Sequence, residues 1–205
     1  MPVAQELDQV APGILTWHLY DPASKADLFS TALETSSGTL LIDPIALDVE
    51  SLGALESRRK VSGIVVTNEN HERAVSPFSD KFQTAVYLHV CLRDAVKLPR
   101  TIWLQDNGTI SPGLTAVAIE GGPLGEIAVH DEANGGTLVM GDALINFEPY
   151  GFAFLPAKYC ADFKLMRRSL PRLLDYPFER MLFAHGTPLL RNARERLEHL
   201  LAANR

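Results

Sequence analysis

Short apolar runs closed by turn residues recur along most of the chain, and helical spacing is confined to a few stretches. Residues 14–20 alternate enough to read as a strand, and 26–34 reads as its hairpin partner or neighbour. The turn Ser36-Ser37-Gly38 leads into the apolar run 39–42, which stops at Asp43-Pro44. Asp48 is placed to cap a short helix running through Ser57. The β-branched run 61–66 predicts a fully buried strand ending at Thr67, and 71–82 then reads as a helix interrupted at Pro77. Further strands are expected over 84–90, 101–104 and 114–119, with a hairpin over 126–130 and 137–140. The pattern over 163–176 is helical despite Pro171, and 180–183 is a short buried strand ending at Ala184-His185-Gly186. Residues 189–201 close the chain as an amphipathic helix with Leu190, Leu197 and Leu200 on one side. Strand-rich blocks punctuated by helices fit two sheets packed together with helices outside, in one domain over 1–205.

Composition narrows the classes of function. Hydrophobic residues make up 46% of the chain and charged residues 21%, an ordinary globular balance. The formal net charge is −6 with no long basic run, so no nucleic-acid partner is expected. No stretch approaches the ~20 apolar residues of a membrane span. Residues 1–13 carry no positive side chain and no apolar run of the kind that marks a secretory signal, so a cytoplasmic protein is expected. Cys91 and Cys160 match no metal-binding or redox spacing and read as buried free thiols.

Three strand ends carry polar residues able to converge: Thr67-Asn68-Glu69-Asn70-His71-Glu72-Arg73, Gly141-Asp142 and His185-Gly186. Ligands in α/β folds gather outside strand ends. With Leu41-Ile42-Asp43, Ile64-Val65-Val66-Thr67, Gly141-Asp142-Ala143-Leu144 and Leu182-Phe183-Ala184-His185-Gly186 in order, the chain resembles the metallo-β-lactamase fold superfamily. That resemblance implies an α/β four-layer αββα sandwich with metal bound at one edge.

The same resemblance exposes departures. The family motif Thr-His-x-His-x-Asp-His supplies ligands to two metals. Matched in register, Asn68 and Asn70 stand at its first two histidines, Glu72 at the aspartate and Arg73 at the last histidine. A further family histidine falls within 120–125, where the chain has none. Asparagine is a poor replacement for imidazole at zinc, so no dinuclear zinc site and no resident metal are expected. The fallback is a single divalent ion on Glu72, Asp142 and His185. Arg73 is expected to take the place of a missing ion and bridge Asp142. Asp43 is expected to accept hydrogen bonds from the 67–73 segment, and His71 to be an exposed residue at a helix start.

Two functions compete on these residues. One is a protein that binds an unknown small molecule or protein partner through a cleft containing Asn68, Asn70, Arg73 and Asp43. The other is a hydrolase of an ester, amide or thioester, with one metal or none, using Asp142 and His185.

Overall fold

The computed structural model describes residues 3–203. Its first sheet runs in chain order: β1 (Asp8–Ala11), β2 (Ile14–Asp21), β3 (Ala26–Thr35), β4 (Gly38–Ile42), β5 (Val61–Val65), β6 (Val86–His89) and β7 (Thr101–Leu104). The first four strands are antiparallel neighbours, and β4 to β7 pair in parallel. The second sheet contains β8 (Gly108–Ser111), β9 (Leu114–Ala118), β10 (Ile127–Asp131), β11 (Thr137–Met140) and β14 (Arg180–Phe183), ordered β14-β11-β10-β9-β8. A separate hairpin, β12 (Leu144–Phe147) with β13 (Gly151–Phe154), stands beside it. The helices are α1 (Val49–Glu56), α2 (Val75–Phe82), α3 (Phe163–Ser169) and α4 (Ala193–Ala203).

Side-chain alternation builds the layers. Along β4 and β5, Leu41, Ile64 and Val66 point to the outer face, where they join Leu55 of α1 and Val75 and Phe78 of α2. Their neighbours Leu40, Ile42 and Val65 point inward to meet Ile127 and Val129 of β10, Val139 of β11 and Leu182 of β14. The alternate residues of that second sheet, Ala128, Leu138, Met140, Met181 and Phe183, face Met166 of α3 and Leu197 of α4. Period-two strands with both faces apolar thus produce three stacked apolar layers. The result is the αββα sandwich.

Proline sets two helix boundaries. Pro77 is the third residue of α2, inside the first turn where its missing N–H matters little, so the helix starts later than expected instead of breaking. Pro171 ends α3 at Ser169, and the chain tightens into a 3₁₀ helix over Leu170–Asp175. The last helix begins at Ala193, which leaves Leu190 outside it and 40% exposed. Among the described residues, no helix is long and apolar enough to cross a membrane.

The parallel pairs matter most for the site. β4 lies beside β5, and β11 beside β14, so each pair ends at one edge of the sandwich. Asp43, Thr67, Asp142 and His185 all follow closely on those four ends.

Candidate functional site

Asp43 leaves β4 in the left-handed region (φ 48°), which turns its carboxylate back toward the end of β5. There Oδ1 accepts from the Thr67 backbone N–H at 2.9 Å, and Oδ2 accepts from the Thr67 hydroxyl at 2.5 Å. The same Oδ2 lies 2.9 Å from His71 Nδ1. Two consecutive turns at 67–73 rotate successive side chains in and out: Asn68 and His71 are buried, whereas Asn70 and Glu72 are exposed. His71 is 2% exposed, so the expectation of a solvent-facing histidine is corrected.

His71 passes between two carboxylates. Its Nε2 lies 3.1 Å from Asp142 Oδ1, and His185 Nε2 lies 3.3 Å from that same oxygen. His185 is oriented from behind, its Nδ1 being 3.1 Å from the carbonyl oxygen of Asp27 on β3. Burial alone would lower the His71 pKa, but the charges of Asp142 and Asp43 outweigh it and lift the group to about 9. Burial would raise both carboxyls. His71, with Arg73 and Thr67 for Asp43 and with His185 for Asp142, instead holds them below their ordinary values, Asp142 well below.

The expected Arg73–Asp142 bridge is not formed. Arg73 turns inward at φ 33° and donates from Nη1 to the carbonyls of Phe29 (2.6 Å) and Asp43 (3.1 Å). Asp142 takes its ion-pair contacts from His71 and His185 instead. Arg73 therefore clamps β3 to the turn after β4, while the cation facing Asp142 is an imidazole two residues earlier.

Donor chemistry decides which ion the residues can hold. His71, Asp142 and His185 each offer one ligand atom, and the three atoms lie within 4.8 Å of one another. His71 Nε2 and Asp142 Oδ1 are buried without a hydrogen-bond partner: 3.1 Å apart, they attract as charges but are not aligned to share a proton. Roughly 2.0–2.2 Å bonds in tetrahedral array place ligand atoms about 3.4 Å apart, close to the 3.1 and 3.3 Å contacts of the two imidazoles with Asp142. Two imidazoles whose other nitrogens are held by an acceptor, with one carboxylate, suit a divalent transition metal. In the fallback set Glu72 is replaced by His71, since Glu72 is exposed and outside the group.

At the positions that would hold the other ion of the family's dinuclear site, side chains bond to one another. Asn68 donates from Nδ2 to Glu126 Oε2 at 2.8 Å, and its Oδ1 accepts from the Asn70 backbone N–H at 2.9 Å. Glu126 Oε1 accepts from the Ala143 N–H at 2.8 Å. A Cβ on Gly122 would meet Glu126 Cγ at 3.0 Å, so the Glu126 side chain fills the space beside that glycine. Burial first, and then the charge of Asp142, lift the Glu126 carboxyl to about 8. No sequence pattern marked Glu126; its only signal was the glycine pair at 121 and 122, which leaves room for a larger neighbour.

A cavity of about 530 Å³ opens beside Asp142 and His185, bordered by the β12–β13 hairpin, the 155–159 segment and the turn between β2 and β3.

The family description "Metallo-beta-lactamase superfamily" matches residues 7–204. Among solved structures, DIM-1 metallo-beta-lactamase is 14% identical with a TM-score of 0.77, covering 100% of this chain and 99% of its own. A metallo-beta-lactamase family protein from Thermus thermophilus is 21% identical with a TM-score of 0.68, covering 95% of this chain and 80% of its own. The protein TTHA1623, whose structure is of a di-iron-bound form, is 23% identical with a TM-score of 0.57 and covers 84% of this chain and 93% of its own. No curated protein matches the chain.

Proposed function

Since the chain belongs to the metallo-beta-lactamase superfamily, we propose that it is a hydrolase of esters, amides or thioesters holding one divalent ion on His71, Asp142 and His185. The observation that carries this reading is the convergence of His71 Nε2 and His185 Nε2 on Asp142 Oδ1, at 3.1 and 3.3 Å, with two of the three atoms lacking another partner. Three protein ligands leave a coordination position open, which is the pattern of catalytic rather than structural sites. When bound, such an ion polarises a carbonyl and lowers the pKa of its water. Asp43 holds His71 Nδ1 and so keeps the Nε2 lone pair aimed at the site. The Asp27 carbonyl does the same for His185. Glu126, tied to Asn68 and Ala143, supports the reading of one ion rather than two by filling the neighbouring space.

Elemental analysis of protein purified without chelator or nickel tests this, with zinc, iron and manganese each supplied. About one equivalent per chain is expected, falling below ~0.2 in His71→Ala and His185→Ala, with loss of esterase activity on an acyl panel. No bound metal, together with activity that survives His185→Ala, would sink it.

A second reading has support from one contact. His71 sits 2.9 Å from Asp43 and 3.1 Å from Asp142, so a protonated imidazole neutralises the carboxylates with no ion. The cleft then binds a small molecule or a partner without turnover, and a metal content of zero in an inactive wild type favours it.

A further inference from the structure

Resting on the hydrolase reading, we infer that the substrate is an anionic acyl compound: an apolar acyl body whose far end carries a carboxylate, bound by Lys25. The cavity beside Asp142 and His185 has an apolar wall that includes Ile145, Phe147, Leu155 and Pro156. Such a wall takes the body of a substrate but cannot orient it; a few placed polar groups must do that. The lining holds one acidic side chain, Asp142, whose charge is committed to His71 and His185. It holds one lysine or arginine, Lys25.

Lys25 belongs to the turn that borders the cavity. It sits at φ 55° in the turn between β2 and β3, a turn closed by Asp21, whose carboxylate accepts from the N–H groups of Ala23 and Ser24. Its side chain makes no ion pair or hydrogen bond among the described residues. In a chain of net charge −6, an unpaired lysine beside a cavity is a charge without an internal use. His185 contacts the carbonyl of Asp27, two residues further along the chain at the start of β3. At about 3.3 Å per residue, that places the Lys25 backbone roughly 7 Å from this anchor. A lysine side chain that starts there has the reach to meet the far end of an acyl body held in the cavity. Tyr150 and Tyr159, 56% and 59% exposed, stand at the opening, where aromatic faces can cover the acyl body.

The chemistry is hydrolysis: the acyl carbon–oxygen bond breaks, water oxygen bonds to that carbon, and a water proton leaves with the alcohol. Lys25 takes no part in those bonds. It positions the acyl chain through its charge.

The test uses the zinc-supplemented protein and two esters of equal length, 4-nitrophenyl hemiglutarate and 4-nitrophenyl pentanoate. Wild type should prefer the hemiglutarate by at least ~10-fold in kcat/KM, roughly the discrimination of one charged contact. In Lys25→Met that ratio should fall toward one, mainly through KM, and Lys25→Arg should restore most of it. Lys60→Met, at the opposite end of β5, should keep the wild-type ratio. A wild-type ratio near one, or a ratio unchanged in Lys25→Met, overturns the inference. Calorimetric binding of 4-phenylbutanoate and 4-phenylbutanol separates this from failure of the hydrolase reading. If neither ester is cleaved but the carboxylate binds at least ~5-fold tighter than the alcohol in wild type and not in Lys25→Met, anion recognition stands and hydrolysis falls. Equal binding of the two, with no ester preference, ends the inference.

Discussion

Two neighbouring cations divide the work at the site, and removing each should have a different consequence. His71→Ala strips one nitrogen donor and leaves Asp43 and Asp142 buried without their shared partner, contacts of 2.9 and 3.1 Å in the wild type. We expect loss of bound metal and a stability loss of about 3–5 kcal/mol, the usual cost of uncompensating a buried charge. Arg73→Ala removes two hydrogen bonds to the carbonyls of Phe29 and Asp43 but no ligand. It should cost about 1–3 kcal/mol while metal content stays near wild type. Urea titration and elemental analysis of both variants check this, and an Arg73→Ala protein that loses its metal would refute the division. The sequence made Asp43, Asp142 and His185 legible because each ends a short apolar strand, where a polar residue has little structural reason to sit. It concealed His71. Matching by motif register assumes that residues 72 and 73 face Asp142, but Glu72 is exposed, Arg73 is drawn to the carbonyls of Phe29 and Asp43, and two tight turns rotate residue 71 into the site instead. Glu126 was hidden for another reason: a carboxylate opening an expected strand reads as solvated until Gly122, across from it, is known to leave its space free.

At the scale of elements, the site depends on how β14 ends. His185 and Gly186 follow β14, and Gly186 pairs with Asn146 of β12 at φ +113°. A Cβ there would run into the Asn146 backbone, so only glycine allows this approach. Gly186→Ala should cost about 1–3 kcal/mol from backbone strain and weaken metal binding by tilting His185 away from Asp142. Gly53→Ala is the contrasting substitution, because Gly53 lies inside α1 with open space around its Cβ position. It should stabilise by about 0.5–1 kcal/mol. Thermal melts of the pair test whether a glycine's effect follows its conformation; equal effects would show that it does not. The strands around these glycines were readable from β-branched and alternating runs such as 61–66 and 137–140. The β12–β13 hairpin was not, because Asn146 and the 148–150 turn break its apolar pattern. Helix starts were misplaced where Pro77 and Asn192 fit a first turn or a preceding bend as well as they fit a break.

For the whole molecule, the four displaced acids and bases at the site, Asp43, His71, Glu126 and Asp142, give stability a direction with pH. Asp43 and Asp142 are lowered, so their contribution is present above their ordinary range near 3.8 and disappears as pH falls below it. Glu126 and His71 are raised, to about 8 and about 9 from 4.5 and 6.5. The folded chain then binds more protons than the unfolded one between those values, so stability falls as pH rises through them. Metal-free protein should be most stable near pH 5 and lose up to roughly 1.4 kcal/mol per pH unit for each such proton on the way to pH 9. Asp43, Asp142, Arg73 and His185 surround the His71 imidazole, and the two carboxylates are what hold its proton so long. A metal ion at His71 Nε2 competes with that same proton, because only the neutral ring can ligate. Zinc should therefore raise the melting temperature more at pH 8.5 than at pH 6.5, as affinity grows until His71 is fully deprotonated. Calorimetric melts with and without excess zinc at the two pH values decide the matter. A zinc-induced shift that is equal at both, or larger at pH 6.5, would mean that the ion does not displace the His71 proton and that the His71–Asp142–His185 group is not where it binds.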